Sequence, residues 1–195
     1  MSNGTQMSGI ERPERVFVLS GPSGVGKNTV AGKLCESGRA VRAVTATSRK
    51  RRPGERDGVD YHFVSAQEFE RWAAEGRLLE RNCYGGNWYG TPAFSVNGAA
   101  GGKLPVLLVI DVNGALELKR RWPRLTLIFV RPPSLEALAQ RLRERGDEDD
   151  KSIAFRLKRA REEMALADQY DHVVVNDRLD DAVEEVARIV GVEPR

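Results

Sequence analysis

Short runs of β-branched and aliphatic residues alternate along the chain with longer stretches whose apolar positions recur every three or four residues. That alternation predicts an α/β fold, a mostly parallel sheet flanked by helices. Val16–Ser20 (VFVLS), Val106–Asp111 (VLLVID), Leu125–Val130 (LTLIFV) and His172–Val175 (HVVV) read as core strands. Each is too short and too rich in β-branched or aromatic residues to be preferred as a helix. Helices are predicted over Asn28–Glu36, Gly114–Arg121, Leu135–Arg145, Ile153–Ala167 and Leu179–Val190. Ser134 suits the N-cap of the helix beginning at Leu135, and Gly146 its stop.

The stretch from Val41 to about Gly102 has a different texture. It holds three of the four tyrosines, the turn-rich segment RRPGERDG, and short strand candidates at Tyr61–Val64 and Leu78–Glu80. Ser65-Ala-Gln-Glu68 has capping-box spacing and opens a helix that Gly76 ends. This predicts a small α+β insertion, residues 45–102, set into a core of residues 15–44 and 103–195. Gly146–Ser152 (GDEDDKS) is a charged loop between two arginine-bearing helices. Residues 1–14 are polar and Gly/Ser-rich and read as a disordered tail, within which Met7 is a second candidate start.

Composition narrows the class without choosing a function. The 195 residues are 41% hydrophobic and 30% charged, ordinary for one soluble domain. The net charge of +3, from 31 basic and 28 acidic residues, gives no reason to expect nucleic acid as a partner. The longest apolar run, Val106–Ile110, is far too short for a bilayer, and the N-terminus lacks the apolar stretch of a secretory signal. Cys35 and Cys83 have no metal-like spacing and suggest a reduced, cytoplasmic setting. Oligomeric state is not legible in these features.

Chemistry enters at Gly21-Pro22-Ser23-Gly24-Val25-Gly26-Lys27, which follows a predicted strand and opens a predicted helix. In that setting the glycines let the backbone curl so that N–H groups point at phosphate oxygens. The helix N-terminus adds its positive end, and the lysine reaches the outer phosphates. An ordinary Gly-rich turn with a surface lysine is the plainer reading, but pattern, strand and helix agree on a phosphate loop. The pattern asks for Ser or Thr after the lysine, to ligate Mg²⁺, and this chain has Asn28. Three readings stay open: the Asn28 amide oxygen ligates the ion, a water fills that place while Thr29 contacts phosphate, or Asn28 only decorates the helix start. Asp111, at a strand's carboxyl end, is the natural acidic partner for metal or substrate.

A phosphate loop does not name the reaction. Arg49-Lys-Arg-Arg52, followed by Pro53-Gly54-Glu55 and then Asp60-Tyr61-His62-Phe63, suggests a held loop aiming arginines at one phosphate. A solvated basic face is the ordinary alternative. With these residues in view, the chain resembles the guanylate kinases, nucleoside monophosphate kinases of the phosphate-loop class. The family's acceptor signature is similar to Thr45-x-Thr47-x-Arg49-x-x-Arg52-x-Gly54-Glu55-x-x-Gly58-x-x-Tyr61-x-Phe63. Glu80 and Gly86-Asn87-x-Tyr89-Gly90-Thr91-Pro92 continue it, and the similarity runs from about Arg15 to Val190.

The resemblance implies ATP-dependent phosphorylation of GMP to GDP, with Mg²⁺ accompanying ATP, as a cytoplasmic step of purine nucleotide metabolism. dGMP offers the same base and phosphate. ATP would sit on Gly21 through Thr29, with Asn176 beside the adenine. Arg49, Arg52, Tyr61 and Tyr89 would hold the GMP phosphate, with Glu55 and Asp111 also in the GMP-binding set, and Thr45, Glu80 and Thr91 would read the guanine. Lys27, Arg141, Arg145 and Arg156 would carry the transfer, the last three from a lid spanning residues from about 141 to 157. Three positions depart from the family pattern besides Asn28: Val109 where an acidic residue is usual, Asp147 after Gly146 where the lid usually has Thr, and Arg81 where an aromatic residue often stands. Competing readings are a non-catalytic domain that binds phosphorylated protein, another monophosphate kinase, and a GTPase. Intact Lys27 speaks against the first, Glu80 with Thr45 against the second, and the missing Asn-Lys-x-Asp motif against the third. His62 and His172 read as structural.

Overall fold

The computed structural model describes residues 9–144 and 149–192. In chain order its first half contains β1 (Val16–Ser20), α1 (Lys27–Glu36), β2 (Val41–Arg42), β3 (Ala46–Thr47), β4 (His62–Phe63), α2 (Ala66–Ala74), β5 (Leu78–Tyr84), β6 (Asn87–Pro92) and α3 (Ala93–Ala100). The second half contains β7 (Val106–Val109), α4 (Val112–Arg121), β8 (Thr126–Arg131), α5 (Leu135–Glu144), α6 (Asp150–Met164), β9 (His172–Val175) and α7 (Leu179–Ile189). Among the described residues no helix is long and apolar enough to cross a membrane.

Five strands form an all-parallel sheet in the order β2-β7-β1-β8-β9. Its three central strands, β7, β1 and β8, are largely continuous apolar runs because helices cover both faces. Along β8, Leu127 and Phe129 enter one core with α3 and α4, while Ile128 and Val130 enter the other with α1 and α7. The exception is β9, which was expected as a core strand. It is one edge of the sheet: only Val174 is buried, against α7, and Val173 and Val175 face outward.

The insertion is a separate mixed sheet, β4-β3-β6-β5, with β3 parallel to β4 and β6 antiparallel to both β3 and β5. Phe69 and Trp72 of α2 pack on Ala46, and the Phe69 and Trp88 rings stack with centroids 6.0 Å apart. Ser65 caps α2 through the Glu68 amide as its spacing predicts, and Ser134 accepts from the Ala137 amide at the start of α5. His62 is a packing residue, its ring 5.4 Å from that of Phe94.

Several boundaries move for identifiable reasons. β7 stops at Val109 and α4 begins at Val112, two residues before its expected start, because Asp111 serves as N-cap and accepts from the Gly114 amide at 3.0 Å. α6 begins at Asp150 because Asp149 accepts from the Ser152 amide at 2.9 Å. It ends at Met164, and Ala167–Gln169 form a separate 3₁₀ turn. α5 is described to Glu144; the expected Arg145 and the stop at Gly146 lie outside the described residues.

Candidate active site

The loop between β1 and α1 is anchored from beneath. Val25 is fully buried in the core shared with α1 and α7, which pins the middle of the curl. Gly26 sits at φ +96°, and a Cβ there would lie 2.5 Å from Nδ2 of Asn176. The Asn176 side chain is itself buried and donates to the Val25 carbonyl at 2.8 Å, while its backbone N–H bonds to Arg131. Asn176 therefore braces the loop from the end of β9. Lys27 begins α1, and its Nζ donates to the carbonyls of Gly21 and Pro22 at 2.6 and 2.9 Å, curled over the loop it serves. Asn28 and Thr29 are exposed in the first turn of the helix.

Across the cleft stands the mixed sheet. Glu80 of β5 is 5% exposed, and the Thr91 hydroxyl of β6 donates to its Oε1 at 2.6 Å. Burial pushes its carboxyl up to about 8; the Thr91 hydrogen bond opposes that shift, and the charges of Asp111 and Glu117 add to it. The other oxygen lies over the start of α4, where a Cβ on Gly114 would stand 2.7 Å from Oε2. Gly114 thus makes room for the carboxylate. Thr45, also buried, reaches the same cavity from the link between β2 and β3.

The basic run is organised by its own acid. Arg49 forms a two-pronged pair with Glu55, Nη1 to Oε2 at 3.1 Å and Nη2 to Oε1 at 2.7 Å. Glu55 also accepts from the Arg52 amide at 2.8 Å, and the bond from Arg49 holds its carboxyl below the ordinary range. The Arg49 guanidinium lies 5.7 Å from the Tyr61 ring centre, and the Tyr61 and Tyr89 rings meet edge-on at 6.2 Å. Glu55 is accordingly a positioning residue for the arginine loop. Arg52 projects outward, exposed.

A third wall comes from α6. Arg156 donates to the Ser23 hydroxyl of the phosphate loop at 3.1 Å. Arg141, on α5, bonds instead to the Asp177 carbonyl at 3.2 Å, and Arg145 is outside the described residues. Lys27, Asn28, Glu80, Tyr89, Asp111 and Arg156 all line one cavity; Arg49 and Thr91 stand directly behind it through Tyr61 and Glu80. Asp111 is doubly engaged, Oδ1 by the Gly114 amide and Oδ2 by the Asn82 side chain at 2.7 Å.

The cavity also takes in residues that sequence reasoning passed over: Tyr84, Arg159 and Glu163. A signal for two of them was present. Arg156, Arg159 and Glu163 are spaced three and four apart, one face of a helix. Burial raises the Glu163 carboxyl, opposed by Arg159 and Lys27, with Asp111 adding.

A glycine-rich loop with its lysine folded over it therefore faces a buried carboxylate and an arginine–tyrosine cluster across one cleft. The family model described as guanylate kinase matches residues 13–193. The chain belongs to the guanylate kinase family. It is 54% identical over 180 residues to the guanylate kinase of Gloeobacter violaceus, covering 92% of this chain and 88% of that one. It is 45% identical over 179 residues to that of Oceanobacillus iheyensis, covering 91% and 87%. The crystal structure of guanylate kinase from Anaplasma phagocytophilum superposes with a TM-score of 0.73 at 34% identity, covering 90% of this chain and 83% of that one.

Proposed function

We propose that this guanylate kinase family member transfers the terminal phosphoryl group of ATP to GMP, forming ADP and GDP, as a cytoplasmic step of nucleotide metabolism. The observation that carries the reading is the shared cavity, in which Lys27 of the phosphate loop faces the buried Glu80 of the insertion. Phosphoryl transfer asks for alignment and charge neutralisation more than for a strong base. The loop from Gly21 to Thr29 supplies backbone N–H groups and the α1 dipole to the ATP phosphates, and Lys27 leaves its carbonyl partners to meet them.

On the acceptor side Arg49, Arg52, Tyr61 and Tyr89 hold the GMP phosphate, with Glu55 fixing the plane of Arg49. The guanine N1–H and N2–H₂ donors fit a carboxylate, Glu80, which Thr91 holds in place, and Thr45 donates to O6. AMP lacks the N1 proton and presents an amino group at C6, so it would leave these buried groups unpaired. Arg141, Arg145 and Arg156 close on the transferring group and exclude water, which would otherwise accept the phosphate. Asn176 serves ATP through the loop it braces.

The residues fit Mg²⁺ carried by ATP. Asn28 is exposed beside the loop and offers an amide oxygen, the hard donor this ion takes while keeping several waters. Among the described residues no group of three or more His, Cys, Asp or Glu forms a protein cage. Asn28 would be the protein's oxygen, with Asp111 behind it, and the bound ion would neutralise charge on the outer phosphates.

A coupled assay of ADP release, with GMP, AMP, CMP or UMP as acceptor, tests the whole reading. Turnover with GMP at least a hundredfold above that with AMP is expected, on the order of what unpaired polar groups impose. No turnover with GMP would sink the kinase reading, and equal turnover with AMP would sink the role of Glu80.

A further inference from the structure

The face of α6 that looks into the cleft carries more than the expected arginine. One turn beyond Arg156, Arg159 lines the same cavity. Its Nε donates to Glu163 Oε1 at 2.9 Å, and its guanidinium carbon lies 5.1 Å from the centre of the Tyr84 ring, at the end of β5 in the opposite lobe. An Arg–Glu pair four apart on a helix is usually a solvated pair of little consequence. This one differs. The two side chains are 31% and 14% exposed and both line the cavity. Among the described residues only Nε of Arg159 is engaged in a hydrogen bond. The carboxylate and the aromatic face hold the guanidinium plane, and Nη1 and Nη2 remain as an open fork, the geometry that suits phosphate.

Like Arg49 with Glu55, Arg159 is paired with an acid beside a tyrosine ring, but through Nε alone where Arg49 engages both Nη1 and Nη2. Arg156 already leans on Ser23, on the donor side. Arg159 leans toward Tyr84, on the acceptor side. We propose that Arg159 is a further phosphate-binding arginine of the cleft, meeting the GMP phosphate from α6 opposite Arg49, with Glu163 as its positioning residue. The inference rests on the assignment of the 45–102 lobe to GMP.

Calorimetric titration of the whole protein with GMP, AMP and guanosine tests it. Arg159→Met is expected to lose about tenfold or more in GMP affinity, the scale of a charge-assisted hydrogen bond, and to leave guanosine affinity within about twofold. Arg159→Lys keeps the charge but not the fork and is expected to lose part of the same affinity. Tyr84→Leu is expected to cost less than Arg159→Met, because the ring only orients. The inference is overturned if Arg159→Met binds GMP as the parent does. It is equally overturned if GMP and guanosine weaken together, or if Tyr84→Leu costs as much as Arg159→Met, which would make the contact a latch between lobes. A parent that does not prefer GMP to AMP would instead sink the underlying assignment, so the two failures are told apart.

Discussion

A carboxylate taken out of water needs donors, and among the described residues Glu80 has one hydroxyl, from Thr91, on one of its two oxygens. Its folded-state titration near 8 lies above the ordinary 4.5. The unfolded chain therefore loses this proton first as pH rises, and the folded state is penalised progressively between about 4.5 and about 8, then constantly above. Glu80→Gln removes that dependence. Urea unfolding should find the variant more stable than the parent at pH 9, by up to a few kcal/mol at about 1.4 kcal/mol per pH unit, with the gap narrowing toward pH 5. The same variant should lose its preference for GMP over AMP; a parent–variant gap that does not change with pH would refute the account. Asn28 invites a second test at this scale. Asn28→Ala should raise the Mg²⁺ concentration for half-maximal turnover several-fold, the size of losing one oxygen ligand, and Asn28→Ser should restore it. Superimposable titrations of all three proteins would show that Asn28 is no ligand.

At the scale of elements, the loop's shape depends on a strand it never pairs with. Asn176, just past β9, donates to Val25 and packs against Gly26. If its work is bracing, Asn176→Ala should raise KM for ATP and GTP as phosphate donors by the same factor, on the order of tenfold for a lost buried hydrogen bond. A change in ATP-over-GTP preference would instead give Asn176 a direct part in reading adenine. The element map also explains which features could be read in advance. β1, β7 and β8 announce themselves because strands buried on both faces must be apolar throughout. β6 was missed because its residues, Asn87–Pro92, include Gly90 and Pro92 and read as a turn; pairing with β3 and β5 makes them a strand. α3 was missed because AFSVNGAA has no polar face to mark it: it is wedged between the two sheets, with Ala93, Val96 and Ala100 buried. The Gly21–Lys27 loop and the Thr45–Thr91 signature were legible in the sequence because the chemistry proposed for them demands particular residues at fixed spacing. The engagement of Asp111 by Asn82, and the Arg159–Tyr84 contact, join residues 29 and 75 positions apart, and no local spacing encodes them.

At the scale of the molecule, the cleft belongs to two sheets that, among the described residues, share no hydrogen-bonded strand. The chain passes between them at residues 43–45 and 101–105, and α6 reaches across, touching Ser23 of the core and Tyr84 of the insertion. On the proposed assignment each substrate would brace one half, and closure would brace both. A ligand that binds only the folded state stabilises it by about 2.7 kcal/mol at a hundred times its Kd. In a chain of this size that raises Tm by roughly 5–10 °C. GMP alone and ADP alone should each produce a shift of that order. Together, as a complex that cannot react, they should exceed the sum of the separate shifts, because α6 then meets phosphates on both sides; a coupling of about 1–3 kcal/mol is the usual range for two linked sites. Arg156→Ala should return the combined shift to the sum, since it removes the donor-side contact of α6. Additive shifts in the parent protein would mean that the two halves bind their nucleotides independently, and that the contacts of α6 across the cleft do not couple them.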